Sequence, residues 1–231
     1  MFFSITSISA HPGLPGTAYV TVGGTGAITG TATTCGVYPF TAQVQDYGGS
    51  AATRDLSITV VTVTPVGFVA GYNLVALPAQ PATPYTASTL LAELNAPPNS
   101  LGVTRILMFN GNGYDVYTSA GVRTNFNVVP GKGYFIRCAN SGSWSAQGIP
   151  FGTGSTQVAL TSGYNLVGLN RTPGSPYTAS AVLAEIGPIA TRILDFNGNG
   201  YDVYTSAGVG TDFSVVPGTG YFIRCSDNVT W

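Results

Sequence analysis

The sequence predicts a mainly β protein built of tandem β-sandwich modules, two of them homologous repeats that each carry one short helix. Three observations predict it. Phe109-Asn-Gly-Asn-Gly-Tyr-Asp-Val-Tyr-Thr-Ser-Ala-Gly-Val122 recurs letter for letter from Phe196 to Val209, and each copy continues into a shared Val-Val-Pro-Gly-x-Gly-Tyr-Phe-Ile-Arg-Cys run, at Val128–Cys138 and Val215–Cys225. Such a duplication defines a repeat architecture. The apolar residues, 44% of the chain, fall in short bursts broken by 31 glycines and 15 prolines, the punctuation of strands and turns. Charged residues make up only 7% of the chain, against about 25% in an ordinary globular protein, so Thr, Ser, Asn, Gly and Tyr must cover the surface.

This composition excludes several classes of function. Net charge is -1, and the eight basic residues, Lys132 and seven arginines, are scattered along the chain. Nucleic acid therefore has no basic stripe in the sequence to bind, and none is expected as a partner. No apolar run approaches the roughly 20 residues of a membrane-spanning helix. Met1-Phe-Phe-Ser-Ile lacks a basic n-region and a long apolar core, so it reads as a strand and not as a secretion signal.

From the N-terminus, residues 1–64 form the first module. Phe3-Ser-Ile-Thr-Ser, Tyr38-Pro-Phe-Thr-Ala-Gln-Val-Gln-Asp46 and Arg54-Asp-Leu-Ser-Ile-Thr-Val-Val-Thr-Val63 read as strands separated by Gly/Pro turns. Alternation puts Phe40, Ala42 and Val44 on one face and Thr41, Gln43 and Gln45 on the other, a half-buried antiparallel sheet. The stretch from Gly26 through Thr29-Gly-Thr-Ala-Thr-Thr-Cys35 to Asp46, with Ala51–Val60 after it, resembles the second half of the immunoglobulin-like, cadherin-like modules of bacterial surface proteins. That resemblance implies surface display and adhesion, and no catalytic residues. Ala32 stands where the family usually has Pro, and Cys35 where Ala is common.

Thr62 to Val69 reads as a linker into the first repeat, residues 65–151; the second repeat is 152–231. Each repeat opens with Gly-Tyr-Asn-Leu-Val at Gly71 and Gly163, then passes through a Pro-rich loop. Thr86 and Thr178 suit helix N-caps, and Leu90, Leu91 and Leu94 form an apolar stripe. A helix this short needs tertiary packing to persist; it is expected across an open end of the sandwich. Next come Thr104-Arg-Ile-Leu-Met-Phe109 and Thr191-Arg-Ile-Leu-Asp-Phe196, each turning at Asn-Gly-Asn-Gly into a return strand. A final hairpin turns at Pro130-Gly-Lys-Gly133 and its copy. The unit resembles repeats of secreted bacterial proteins that read G-W-N-L-I, W-N-G-x-G-W and P-G-K-G-Y-F-V, with Tyr72, Tyr164, Tyr114 and Tyr201 in the Trp positions. The resemblance implies a secreted β-module and supplies no activity.

Chemistry is sparse. The single histidine, His11, sits in a Gly/Pro loop away from any Ser or Cys motif, which argues against a triad and against an enzyme. Asp195, Asn197, Asn199 and Asp202 have the spacing that opens a Ca²⁺ loop, and they are the one candidate metal site. Ser206 stands where a bidentate Glu would close that loop, and Met108 replaces Asp195 in the first copy, so a plain hairpin turn is the preferred reading and no cofactor is required. Tyr114, Tyr117, Tyr201 and Tyr204, expected on neighbouring alternate positions of the return strands, are the candidate ligand-binding residues: aromatic faces beside Asn and Asp stack and hydrogen-bond glycans, and equally stabilise cross-strand pairs. Cys35, Cys138 and Cys225 are an odd set, read first as buried thiols and next as disulfide candidates between modules or chains. Asn170 and Asn228 open glycosylation sequons.

The expectation is therefore a non-enzymatic structural or adhesive protein, extracellular or at the cell surface. A module begun midway at Met1 and another ended early at Trp231 would leave sheet edges open, and open edges recruit strands, so the end modules are expected to assemble copies head-to-tail into a filament by strand complementation. The alternative is a carbohydrate-binding accessory module of a larger secreted protein.

Overall fold

The computed structural model describes residues 4–10, 21–22, 28–29, 34–45, 48–154, 157–174 and 176–231. The chain divides into two compact units, Met1–Thr62 and Val63–Trp231. Both repeats belong to the second.

In the first unit, β1 (Ser4–Ala10), β4 (Gly36–Gln45) and β5 (Ala51–Val60) form an antiparallel sheet in the order β1-β4-β5, and β2 (Thr21–Val22) pairs with β3 (Ile28–Thr29). Phe40 lies opposite Leu56 and Tyr38 opposite Ile58, so the alternating apolar residues share one face. On the other face the Thr41 hydroxyl donates to Asp55 at 2.7 Å.

The second unit opens with β6 (Thr62–Phe68), which is no linker: it pairs with β13 (Gly142–Gly148) and buries Val66 and Phe68 beside Trp144. In the first repeat follow β7 (Gly71–Ala76), β8 (Tyr85–Thr86), α1 (Ala87–Asn95), β9 (Val103–Phe109), β10 (Tyr114–Thr118), β11 (Asn127–Val128) and β12 (Gly133–Cys138). Four of these strands make an antiparallel sheet in the order β10-β9-β12-β7. The second repeat supplies β14 (Ala159–Leu160), β15 (Gly163–Gly168), α2 (Ala179–Ile186), β16 (Ala190–Phe196), β17 (Tyr201–Thr205), β18 (Gly220–Cys225) and β19 (Val229–Thr230). Its sheet, β15-β18-β16-β17, has the same order, and β14 with β19 repeats the pairing of β6 with β13.

Each helix starts at the threonine the sequence marks. Thr86 accepts from the Thr89 amide and Thr89 reaches back to the Thr86 amide, a reciprocal cap, while Thr178 accepts from the Ala181 amide. The helices lie on a face of their own sheet and not across an open end. Leu90 and Leu94 of α1 share a core with Ile106, Tyr134 and Ile136, and Val182 and Leu183 of α2 do the same with Ile193, Tyr221 and Ile223.

The opposite faces of the two sheets meet each other. Leu74 and Phe135 of the first repeat form a third core with Leu166 and Phe222 of the second, flanked by Leu107, Phe109, Leu194 and Phe196. The expectation of a separate sandwich in each repeat thus gives way to one sandwich to which each repeat contributes a sheet, with a helix covering each outer side. The physical reason lies in the strands themselves. Ile106-Leu-Met-Phe109 and Tyr134-Phe-Ile136 are apolar at consecutive positions, so both faces of each sheet need a cover.

The contact obeys an approximate two-fold relation. Val75 bridges Thr219 while Val167 bridges Lys132. The Ala76 amide donates to the Gly218 carbonyl at 3.0 Å, and the Gly168 amide donates to that of Gly131 at 3.2 Å. The Pro-Gly turn before β12 therefore caps β15, the edge strand of the other repeat's sheet, and the turn before β18 caps β7, fastening the corners of the sandwich.

Candidate functional site

The return strands carry the tyrosines singled out from the sequence, but not on one face. Tyr114 and Tyr117 are three residues apart, which puts them on opposite sides of β10, and the same holds for Tyr201 and Tyr204 on β17. Tyr117 packs into the first helix-side core and Tyr204 into the second. Tyr114 and Tyr201 face the shared core and stay 40% and 41% exposed. The expected four-tyrosine face is therefore corrected to this pair. Tyr114 packs on Phe109 and Phe135, at centroid distances of 5.5 and 5.8 Å, and Tyr201 packs on Phe196 and Phe222 at 5.5 and 5.9 Å. Burial, with the neighbouring Tyr201, raises the Tyr114 hydroxyl above its ordinary pKa.

The two Asn-Gly-Asn-Gly tips are built alike. The side-chain oxygen of Asn110 accepts from the amides of Asn112 and Gly113, and that of Asn197 from the amides of Asn199 and Gly200, at 3.2 and 2.9 Å in both. Positive φ falls at Gly111 and Gly198, the first central position of each turn, and not at the following Asn. The Asn197 carboxamide that would ligate Ca²⁺ is thus engaged in holding the turn, as it is in the copy that carries Met108. Asp195 lies directly opposite Asp202 on the helix side of the sheet. Burial, then the Asp202 charge, pushes the Asp195 carboxyl up to about 6. Among the described residues no three His, Cys, Asp or Glu side chains gather as a metal site.

Cys138 and Cys225 are buried free thiols on the helix side, and Cys35 is a partly exposed free thiol. Burial pushes the Cys138 thiol up to about 11 and raises that of Cys225. Asn170 is partly buried against the Pro-Gly turn of the first repeat, where a β-carbon on Gly131 would lie 3.2 Å from its side-chain nitrogen. Asn228 is exposed, and its side-chain oxygen accepts from the Ser162 amide. His11 lies outside the described residues.

Two clusters escaped the sequence reading. Glu93 accepts from the Trp144 indole and the Tyr85 hydroxyl, each at 2.7 Å, which ties α1 to β13 and to β8. In the second repeat Glu185 holds Tyr177 and forms an ion pair with Arg171, whose guanidinium also lies over the Trp231 ring. The Arg171 pairing holds the Glu185 carboxyl below its ordinary value against the opposing effect of burial. The signal was available: both Glu residues sit at the same helix position in the two copies. A cleft of 440 Å³ also opens along β7, lined by Tyr72, Asn73 and, from the other repeat, Phe196 and the Asn197-Gly198 tip.

These features define a mainly β protein in which two helix-bearing repeats share a sandwich. Compared with known proteins, the chain matches no protein-family model, no curated protein and no solved structure at a significant level. The resemblances to surface-protein modules and secreted repeats rest on their sequence motifs alone.

Proposed function

We propose that this chain is a non-enzymatic extracellular protein with an immunoglobulin-like N-terminal module, a structural and adhesive subunit of a cell-surface filament that grows head-to-tail by β-strand addition. The observation that carries this reading is β5. It is ten residues long, it is an edge of its sheet among the described residues, and it is exposed at every position but the last. Leu56 and Ile58 each leave 38% of their surface exposed. Edge strands of this length are ordinarily blunted by charged side chains, Pro or a bulge; β5 has no Pro and no bulge, and of its two charges Asp55 is tied to Thr41, which leaves Arg54 alone on a ten-residue edge. A strand from the next subunit would take up its outward backbone groups.

Light scattering and negative-stain imaging over a concentration series test the proposal. Rods that lengthen with concentration and disappear in Leu56→Lys/Ile58→Lys are expected. A monodisperse monomer at all concentrations overturns it.

A second reading, a carbohydrate-binding accessory module, is favoured by Tyr114 and Tyr201, whose half-exposed rings rest on fixed phenylalanines. A neutral-glycan array on the wild type and on Tyr114→Ala/Tyr201→Ala tests it; no glycan signal, or one that survives the substitutions, removes it.

A further inference from the structure

Four of the seven arginines stand in two equivalent places. Arg105 of β9 is directly opposite Arg137 of β12, and Arg192 of β16 is directly opposite Arg224 of β18. The rows continue across both sheets in the same sense. Thr118 flanks Arg105 and Tyr72 flanks Arg137, while Thr205 flanks Arg192 and Tyr164 flanks Arg224. Cross-strand partners share a face, so each repeat presents a hydroxyl, two guanidiniums and an aromatic ring side by side over three interstrand spacings, about 14 Å.

Like charges directly opposite each other destabilise a sheet, and nothing offsets them here. Arg171–Glu185 is the ion pair among the described residues, and none of the four guanidiniums has a hydrogen-bond partner there; the Arg192 Nε is buried without one. Arg105, Arg137 and Arg224 are exposed. Tyr72 and Tyr164 are 36% and 38% exposed, each held edge-on against an inner phenylalanine, Phe135 and Phe222.

The geometry points to an anionic polysaccharide as the ligand of these rows, one in each repeat. Paired guanidiniums form forked hydrogen bonds to carboxylate or sulfate groups. The neighbouring tyrosine offers a partly apolar face to a sugar ring and a hydroxyl at its rim, and the threonine adds a hydroxyl at the other end. A polynucleotide fits less well: it draws its affinity from many phosphate contacts, and this chain has two isolated pairs of cations and a net charge of -1. Two rows on one compact unit would engage a long polymer together and gain avidity. The rows share no residue with β5 or with the Tyr114 and Tyr201 pair, although Tyr72 and Tyr114 rest on the same Phe135 and Tyr164 and Tyr201 on the same Phe222; the arginine substitutions therefore read this proposal apart from filament assembly and neutral-glycan binding.

The test is binding of the full chain to immobilised polygalacturonate, which carries carboxylates, and dextran sulfate, with neutral dextran and single-stranded polydeoxyadenylate as controls. Retention on one or both polyanionic glycans, weakened by salt, is expected, and the preferred one names the anion. Arg105→Gln/Arg137→Gln should lower the apparent affinity at least tenfold, as should Arg192→Gln/Arg224→Gln, with the melting temperature unchanged or raised. Tyr72→Ala/Tyr164→Ala should weaken binding severalfold. Equal binding to dextran, stronger binding to the polynucleotide, no binding at all, or binding indifferent to the arginine substitutions would each overturn the proposal.

Discussion

Gly168 of the second repeat lies so close to Ala76 of the first that a β-carbon built on it would stand 2.1 Å from the Ala76 methyl. The two residues are each other's counterparts, the last positions of β15 and β7. Where edge strands cross near the two-fold axis there is room for one methyl and not two.

Gly168→Ala should therefore destabilise the second unit by about 1–3 kcal/mol, the usual cost of overpacking a core. Moving the methyl instead of adding one, with Ala76→Gly/Gly168→Ala, should recover most of that loss. Urea denaturation of the two variants measures it. A Gly168→Ala protein as stable as the wild type would mean that the repeats do not meet as described.

The Glu93 clamp makes an asymmetric prediction. Trp144 is 1% exposed and its indole nitrogen can only donate, whereas the Tyr85 hydroxyl can also accept. Glu93→Gln keeps an acceptor for Trp144 and gives Tyr85 a donor, so it should cost about 1 kcal/mol. Glu93→Ala strands the buried indole and should cost about 3 kcal/mol. Tryptophan fluorescence through a urea transition distinguishes the two.

Asp195 supplies a pH signature. Its carboxyl is raised to about 6 in the folded chain, above the ordinary value of about 3.9. Between these values the folded state holds more protons than the unfolded one, so stability falls as pH rises from about 4 to 6 and the penalty is complete above 6. Asp195→Met, the residue of the first repeat, should raise the melting temperature at pH 8 and leave it nearly unchanged at pH 4. The gain at pH 8 is about 1 kcal/mol once the solvent reaching this half-buried group is taken into account.

The thiols should divide into two classes. Attack on a disulfide reagent requires the thiolate, and burial pushes the Cys138 and Cys225 thiols upward. At pH 8 Cys35 should react quickly and the other two only on unfolding, followed by absorbance of the released thiol. Rapid reaction of all three would show that the helix-side cores open readily.

Much of the local structure was legible. Thr86 and Thr178 marked both helix starts, and Asn-Gly-Asn-Gly marked both hairpins, because caps and turns are set by residues a few positions apart. The spacing of Tyr114 and Tyr117 already placed them on opposite sides of a strand, and the expected tyrosine face failed on that count alone. Thr62–Val69 reads as a linker for the opposite reason: the partner of the strand it contains, Gly142–Gly148, is far along the chain, and nothing local announces the pairing.

The sequence by itself determined the duplication, the strand-rich class, the short helices and the scarcity of charge, since composition and short-range periodicity encode them directly. Only the tertiary structure decided that the two repeats share a sandwich, that Ala76 meets Gly168, and that four arginines align in two unneutralised rows. A consecutive apolar run such as Ile106-Leu-Met-Phe109 says that both faces of a strand are covered. What covers them depends on how distant surfaces fit, and that fit is settled by packing across the whole unit.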